Sequence, residues 1–150
     1  MSAHAKSLLE RLRARDWTMT AQRRAVAETL AGEHVHMTAD EIHARAADRL
    51  PEISRATVYK TLRELVTLGE IREVGTSERA KRYDPNTDSQ HRHLMCERCG
   101  DIRDVYPEGK VSLRLPAKEQ YGFTVTNVDV VFVGVCPACA AKARGKRAKA

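Results

Sequence analysis

Four cysteines, arranged as two C-x-x-C pairs, constrain this chain more than any other feature. Cys96 and Cys99 form the first pair, Cys136 and Cys139 form the second, and 36 residues separate the pairs. Four thiolates suit a tetrahedral zinc ion and leave no position open for a substrate or water. We therefore predict a structural zinc site that closes the C-terminal half of the chain. The alternative is four unligated or redox-active cysteines.

Length and composition limit the remaining possibilities. The chain has 150 residues, of which 42% are hydrophobic and 31% are charged, and this suits one compact unit or two small ones. No apolar run approaches the roughly 18 residues that a membrane span needs, and the first residues are charged where a secretory signal is apolar. We expect a cytoplasmic protein without membrane association, where reducing conditions favour a metal over disulfides.

The net charge of +6, from 26 Lys and Arg against 20 Asp and Glu, depends on a short C-terminal segment. Five of the bases lie in the final KARGKRAKA, so the rest of the chain is close to neutral. Any argument for nucleic-acid binding must therefore rest on the local placement of charge. We expect the basic tail, residues 141–150, to be disordered.

The first half of the chain has the pattern of a helical domain. A short apolar stripe begins at Leu8, and Thr20 is placed to cap a second helix that stops at Gly32. Thr38 and Glu41 form a capping box at the start of a third helix. Ser54 caps the best-defined helix, RATVYKTLRELVTLG, whose apolar residues recur at i, i+4 and i+7; they are Val58, Leu62 and Leu65.

Two short segments, IREV and ERAKRYD, follow that helix and are separated by a Gly-Thr-Ser turn. Helices followed by such a hairpin predict a winged helix-turn-helix, and the alternative is a small helical bundle with an accessory ribbon. The face of the last helix opposite its apolar residues carries Arg55, Tyr59, Lys60 and Arg63. These side chains suit contacts with phosphates and base edges, and Arg23 could add a phosphate contact. The alternative is a solvated basic face.

The second half predicts a small α/β domain after a polar hinge. We place the winged helix-turn-helix domain at 1–84, the hinge at 85–90 and the second domain at 91–140. Strands are expected at 91–96 and 102–105, a helix at 110–121, and one or two further strands in FTVTNVDVVFVGVC. The fold class is therefore α+β.

A second group of metal-binding residues uses different chemistry. His91 and His93 alternate along a predicted strand and so point to one face, with Asp84 just upstream and Asp104 on the next strand. Nitrogen and carboxylate ligands without sulfur favour Fe(II), Mn(II) or a second zinc ion. The alternative is a surface pair of histidines.

Four motifs together resemble the ferric uptake regulator (Fur) superfamily. They are TAQR at 20–23, HMTADEI at 36–42, SRATVYKTL at 54–62 and HRHLMCERCG at 91–100. The resemblance implies a homodimeric, metal-responsive transcriptional repressor, with a winged-helix domain that binds double-stranded DNA and a C-terminal dimerisation domain that holds structural zinc. It also implies a regulatory Fe(II) or Mn(II) site formed by His36, Asp84, His91, His93 and Asp104.

The two aspartates resemble the peroxide-sensing (PerR) branch, since the iron-sensing branch usually has Glu at the positions of Asp84 and Asp104. That resemblance implies that peroxide converts His36 or His91 to 2-oxo-histidine in the Fe(II) form and releases an inverted-repeat operator of peroxide-defence genes. The alternative is a repressor that responds to iron or manganese supply. His34 is a candidate alternative ligand.

Two further classes of function compete with a repressor. A metalloenzyme could use His36, His91, His93 and an Asp to activate water, although no positioned general base or nucleophile accompanies these ligands. A zinc-stabilised interaction module without DNA binding is the other alternative.

Overall fold

A computed structural model describes residues 6–32, 35–75, 79–109 and 113–148. Contacts divide the chain into two compact units, Met1–Asp88 and Ser89–Ala150. Within the described ranges, no helix is both long enough and apolar enough to cross a membrane.

The described part of the first unit contains four helices, each of which starts at a hydroxyl cap. They are α1 (Leu8–Ala14), α2 (Ala21–Leu30), α3 (Ala39–Arg49) and α4 (Arg55–Thr67). Thr20, Thr38 and Ser54 accept hydrogen bonds from the third backbone amide of their helices, as predicted. Ser7 caps α1 in the same way and was not predicted. The apolar faces meet in one core, which includes Leu12, Val26, Leu30, Ile42, Val58, Leu62 and Leu65.

A three-stranded antiparallel sheet completes this unit. Its strands are β1 (Met37–Thr38), β2 (Arg72–Val74) and β3 (Arg82–Asp84), in the order β1-β3-β2. The chain leaves α4 through Gly69, whose φ of 73° suits glycine at a helix C-terminus. The predicted hairpin is confirmed as β2 and β3, although Thr76 and Ser77 of its turn lie outside the described residues.

The second unit is a small sheet followed by a helix. Its strands are β4 (Arg92–Cys96), β5 (Ile102–Val105) and β6 (Val131–Gly134), in the order β5-β4-β6. Strand β4 pairs with β5 in the antiparallel sense and with β6 in the parallel sense. Helix α5 (Pro137–Arg147) ends the unit and has no buried side chain. Hydrophobic packing therefore does little to hold α5 in place.

Two predictions for this unit are wrong. The helix expected at 110–121 is absent from 113–121 except for one 3-10 turn at Ala117–Glu119, because Pro116 immediately precedes that turn and interrupts the helical pattern. Residues 110–112 lie outside the described ranges. The expected disorder of the tail is wrong up to Arg147, which ends α5. Pro137 at the first turn and the Ala, Lys and Arg residues that follow it all favour a helix.

Candidate metal centres and DNA-reading helix

The four cysteines of the second unit form one cluster. Cys96 ends β4, Cys99 lies in the following turn, and Cys136 and Cys139 lie at the start of α5. The four Sγ atoms lie within 4.8 Å of one another, and those of Cys99 and Cys136 are 3.7 Å apart. Zinc–sulfur bonds of about 2.3 Å in a tetrahedron place sulfurs about 3.8 Å apart. The cluster therefore fits the predicted zinc ion.

Backbone hydrogen bonds build the turn that presents the first thiol pair. The amide of Gly100 donates to the carbonyl oxygen of Cys96 at 2.8 Å, and Gly100 has a φ of 75°. The amide of Glu97 donates to the carbonyl oxygen of Gly134 at 2.8 Å, which joins the turn to the end of β6. The sheet therefore brings together two cysteine pairs that are far apart in sequence.

The thiols of Cys96 and Cys139 differ in pKa because their surroundings differ. The backbone amide of Cys136 donates to the Sγ atom of Cys96 at 3.3 Å, and this hydrogen bond is the main reason that the pKa of Cys96 is lowered to about 6. The pKa of Cys139 is raised to about 12, chiefly by hydrogen bonding to Cys136 and further by partial desolvation. One thiol of the cluster is thus a thiolate at neutral pH, ready to bind a metal.

In the first unit, His36 and Asp84 form a buried pair. The pairing of Met37 with Tyr83 places the residue before β1 beside the last residue of β3. The Nε2 atom of His36 lies 3.4 Å from Oδ2 of Asp84, and both side chains are buried. The amide of Asn86 donates to Oδ1 of Asp84 at 2.8 Å and so fixes the carboxylate. The sequence analysis predicted no strand at His36, so the family motif was the one reason to select this residue as a ligand.

In the second unit, two histidines share one carboxylate. His93 pairs with Asp104 across β4 and β5, and its Nε2 atom lies 3.7 Å from Oδ1 of Asp104. His91 lies 3.9 Å from the same oxygen, and its ring meets that of His93 edge-on with centroids 4.9 Å apart. The predicted alternative of a surface pair is wrong, because both imidazoles are buried.

The two groups of side chains, one in each unit, offer imidazole nitrogen and carboxylate oxygen without sulfur. The first group is His36 and Asp84, and the second is His91, His93 and Asp104. Their separations of 3.4 to 3.9 Å are close to those of atoms that share one metal ion, since bonds of about 2.1 Å place ligands about 3.0 to 3.4 Å apart. This donor chemistry fits Fe(II), Mn(II) or zinc. His34 lies outside the described residues.

Helix α4 separates its apolar and basic residues as the sequence predicts. Val58, Leu62 and Leu65 are fully buried. The basic face is exposed and comprises Arg55, Tyr59, Lys60 and Arg63. Tyr59, 45% exposed, is the one large hydrophobic side chain that the described part of the first unit leaves in solvent. The oxygen Oδ1 of Asp40 accepts a hydrogen bond from Nη1 of Arg55 at 2.5 Å.

Arg23 makes several contacts within the first unit, and its phosphate contact stays a prediction. Its Nη2 atom donates to Oε2 of Glu64 on α4 at 2.8 Å, and its Nη1 atom donates to the carbonyl oxygen of Thr18 at 2.8 Å. The guanidinium also lies 4.6 Å from the ring centroid of Trp17. These contacts make Arg23 a link between helices.

Comparison with known proteins agrees with this arrangement of helices and sheets. Residues 14–133 match the Ferric uptake regulator family. This chain belongs to that family. Because Fur-family proteins are transcriptional regulators that bind DNA and act as dimers, the metalloenzyme alternative is excluded and the DNA-binding role of the winged helix is supported.

Individual relatives include regulators of several kinds. The peroxide-responsive repressor PerR of Staphylococcus aureus (strain USA300) is 38% identical over 122 residues, which cover 81% of each chain. The Campylobacter jejuni peroxide stress regulator superposes with a TM-score of 0.59 at 27% identity, covering 89% of this chain and 100% of that one. The Helicobacter pylori ferric uptake regulator shares the fold, with a TM-score of 0.63 at 22% identity, covering 89% of this chain and 91% of that one.

Proposed function

We propose that this Fur-family regulator is a homodimeric repressor that binds an inverted-repeat operator and releases it when hydrogen peroxide oxidises one of its metal-binding histidines. The observation that carries the proposal is the pair of buried His/Asp groups, one in each unit, with aspartate as the only acid. Sulfur-free ligands suit Fe(II), which reacts with peroxide, and Mn(II), which does not react readily. The 38% identity to a peroxide-responsive repressor supports the same conclusion.

Regulation follows if one metal ion binds both groups. We propose that His36 and Asp84 complete their coordination with His91, His93 and Asp104, across a hinge at residues 85–90. An ion that needs ligands from both units stabilises one angle between them and so favours one conformation of the repressor. Zinc at the four cysteines keeps the second unit folded and takes no part in sensing.

DNA reading is assigned to the exposed face of α4. Tyr59 and Arg55 would contact bases or the sugar-phosphate backbone, while Lys60 and Arg63 would neutralise phosphates. Two such helices in a dimer need a spacing of about 34 Å to enter successive major grooves. The metal therefore controls operator affinity by fixing this spacing.

Dimerisation is assigned to the second unit. Nearly all exposed large hydrophobic side chains among the described residues lie there, and Tyr121 and Phe123 are 79% and 75% exposed. A monomeric protein rarely leaves so many apolar side chains in water. We propose that a second copy of the chain covers them.

Bound Fe(II) would supply the reaction with peroxide that the side chains cannot perform. In the net reaction, one peroxide oxygen is inserted at an imidazole carbon–hydrogen bond of His36 or His91 and the other leaves as water. The oxidised ring is a poorer ligand, so the ion is lost and the two units are no longer held together.

Peptide mass spectrometry tests this mechanism. The Fe(II)-loaded and Mn(II)-loaded proteins are exposed briefly to peroxide, and the segments that contain His36 and His91 are analysed. We expect one added oxygen in the iron form alone, together with loss of operator binding in a fluorescence anisotropy assay. Unmodified histidines alongside oxidised cysteines would contradict the proposal.

A supply-responsive repressor is the second candidate. A zinc-bound manganese uptake regulator superposes with a TM-score of 0.62 at 25% identity, covering 87% of this chain and 99% of that one, and the His/Asp groups suit Mn(II) equally well. Operator release that follows metal removal but not peroxide would favour this candidate.

A further inference from the structure

We infer that Arg82 is a positioning residue for His36 and thereby sets the affinity of the regulatory metal. This inference rests on the proposed function of His36 as a ligand. Sequence patterns gave no reason to select Arg82, because a lone arginine on a strand of the wing resembles any solvated base.

Arg82 holds the backbone of His36 directly. Its Nη1 atom donates to the carbonyl oxygen of His36 at 2.8 Å, and only 24% of its side chain is exposed. Arg82 pairs with Thr38 across β1 and β3, and Asp84 lies two residues further along β3. Since alternate residues of a strand point to one face, β3 supplies both the carboxylate that faces His36 and the guanidinium that holds its main chain.

A second contact extends this restraint to the start of α3. The same Nη1 atom lies 3.2 Å from Oε2 of Glu41. That oxygen also accepts hydrogen bonds from the amide of Thr38 at 2.7 Å and from its hydroxyl at 3.1 Å. One guanidinium is therefore joined to both ends of the segment 36–41, and the short β1 strand between them cannot shift without breaking these bonds.

This restraint matters for metal binding because a ligand held in place loses little entropy when the ion arrives. The Nε2 atom of His36 already lies 3.4 Å from Oδ2 of Asp84. Groups that orient metal ligands from behind typically change affinity by about 10- to 100-fold. Removing a positive charge near a cation site would by itself strengthen binding. A weaker affinity without Arg82 can therefore be attributed to misplacement of His36.

The test is a titration of the zinc-loaded full-length protein with Mn(II), followed by electron paramagnetic resonance of the free ion. We expect Arg82→Met to weaken Mn(II) binding about 10- to 100-fold, and Arg82→Lys to give an intermediate loss because lysine can still donate to the carbonyl. Arg45→Met removes an exposed charge of the same sign from α3 and serves as the matched control, with little effect expected. If Arg82→Met does not fold, the Mn(II) affinity of Arg82→Lys is compared with that of Arg45→Met instead.

A double-mutant cycle separates positioning from a general loss of structure. In a His36→Ala background, Arg82→Met should cause no further loss of Mn(II) affinity, because the residue through which it acts is already gone. Equal losses in both backgrounds would overturn the inference, as would unchanged affinity in Arg82→Met. If His36→Ala alone leaves Mn(II) affinity unchanged, the proposed ligand set fails instead. Zinc content and the thermal unfolding midpoint are measured for every variant.

Discussion

Arg23 donates a hydrogen bond of 2.8 Å to Glu64, and this contact fastens the beginning of α2 to the DNA-reading helix α4. The same guanidinium donates to the carbonyl oxygen of Thr18 and lies over Trp17. Thus one side chain joins the α1–α2 connection, α2 and α4. We expect the orientation of α4, the helix proposed to read DNA, to depend on this arginine as well as on the apolar core.

Arg23→Ala should therefore lower the free energy of unfolding by about 1 to 2 kcal/mol, the combined size of a partly exposed ion pair and a cation–π contact. Arg24→Ala is the matched control, since Arg24 lies 3.9 Å from Glu28 in an i,i+4 pair and is half exposed, and it should cost less than about 0.5 kcal/mol. Urea denaturation followed by circular dichroism measures both. If the two variants had equal free energies of unfolding, the Arg23 contacts would contribute no more than the exposed pair of Arg24.

Glu70 is buried and accepts from two arginines of unequal exposure, Arg11 at 2.7 Å and Arg15 at 2.5 Å. Arg11 is 18% exposed and also donates to the carbonyl oxygen of Pro85, whereas Arg15 is 52% exposed. We expect Arg11→Ala to cost about 2 to 4 kcal/mol and Arg15→Ala about 1 kcal/mol or less, because the loss of Arg11 leaves buried Glu70 with an exposed arginine alone and removes hydrogen bonds to the carbonyl oxygens of Glu70 and Pro85. Chemical denaturation at neutral pH distinguishes the two, and a larger loss for Arg15→Ala would contradict this account.

We expect Asp40 to compete with DNA for Arg55. Both side chains are exposed, and Nη1 of Arg55 lies 2.5 Å from Oδ1 of Asp40. Asp40→Asn should free the guanidinium for a phosphate and remove a like charge from the DNA-facing side, so that operator affinity rises several-fold at low salt. Fluorescence anisotropy at two salt concentrations measures the change. Asp48→Asn, an exposed acid near the end of α3, is the control, and an equal gain in both variants would indicate a nonspecific charge effect.

Removal of zinc should unfold part of the protein. Because α5 has no buried side chain, its attachment to the sheet depends on Cys136 and Cys139. A chelator should abolish the protection of β4 and β6 amides against hydrogen exchange, while α2 to α4 of the first unit remain protected by their own core. Uniform loss of protection in both units would argue against a local role for zinc.

Local sequence signals determined much of the first unit. Thr20, Thr38 and Ser54 cap their helices because a hydroxyl satisfies amides that the first turn leaves free, whatever lies around it. The spacing of Val58, Leu62 and Leu65 likewise determined which face of α4 is buried. The two C-x-x-C pairs predicted one cluster of four cysteines, since a structural zinc ion binds four ligands.

Tertiary structure alone decided the contacts between elements. Whether Arg23 contacts Glu64, and whether Arg82 is solvated or holds His36, depends on which strands and helices become neighbours. Capping, periodicity and ligand type are local properties of the chain, whereas the partner of a long charged side chain is set by distances that exist only after folding.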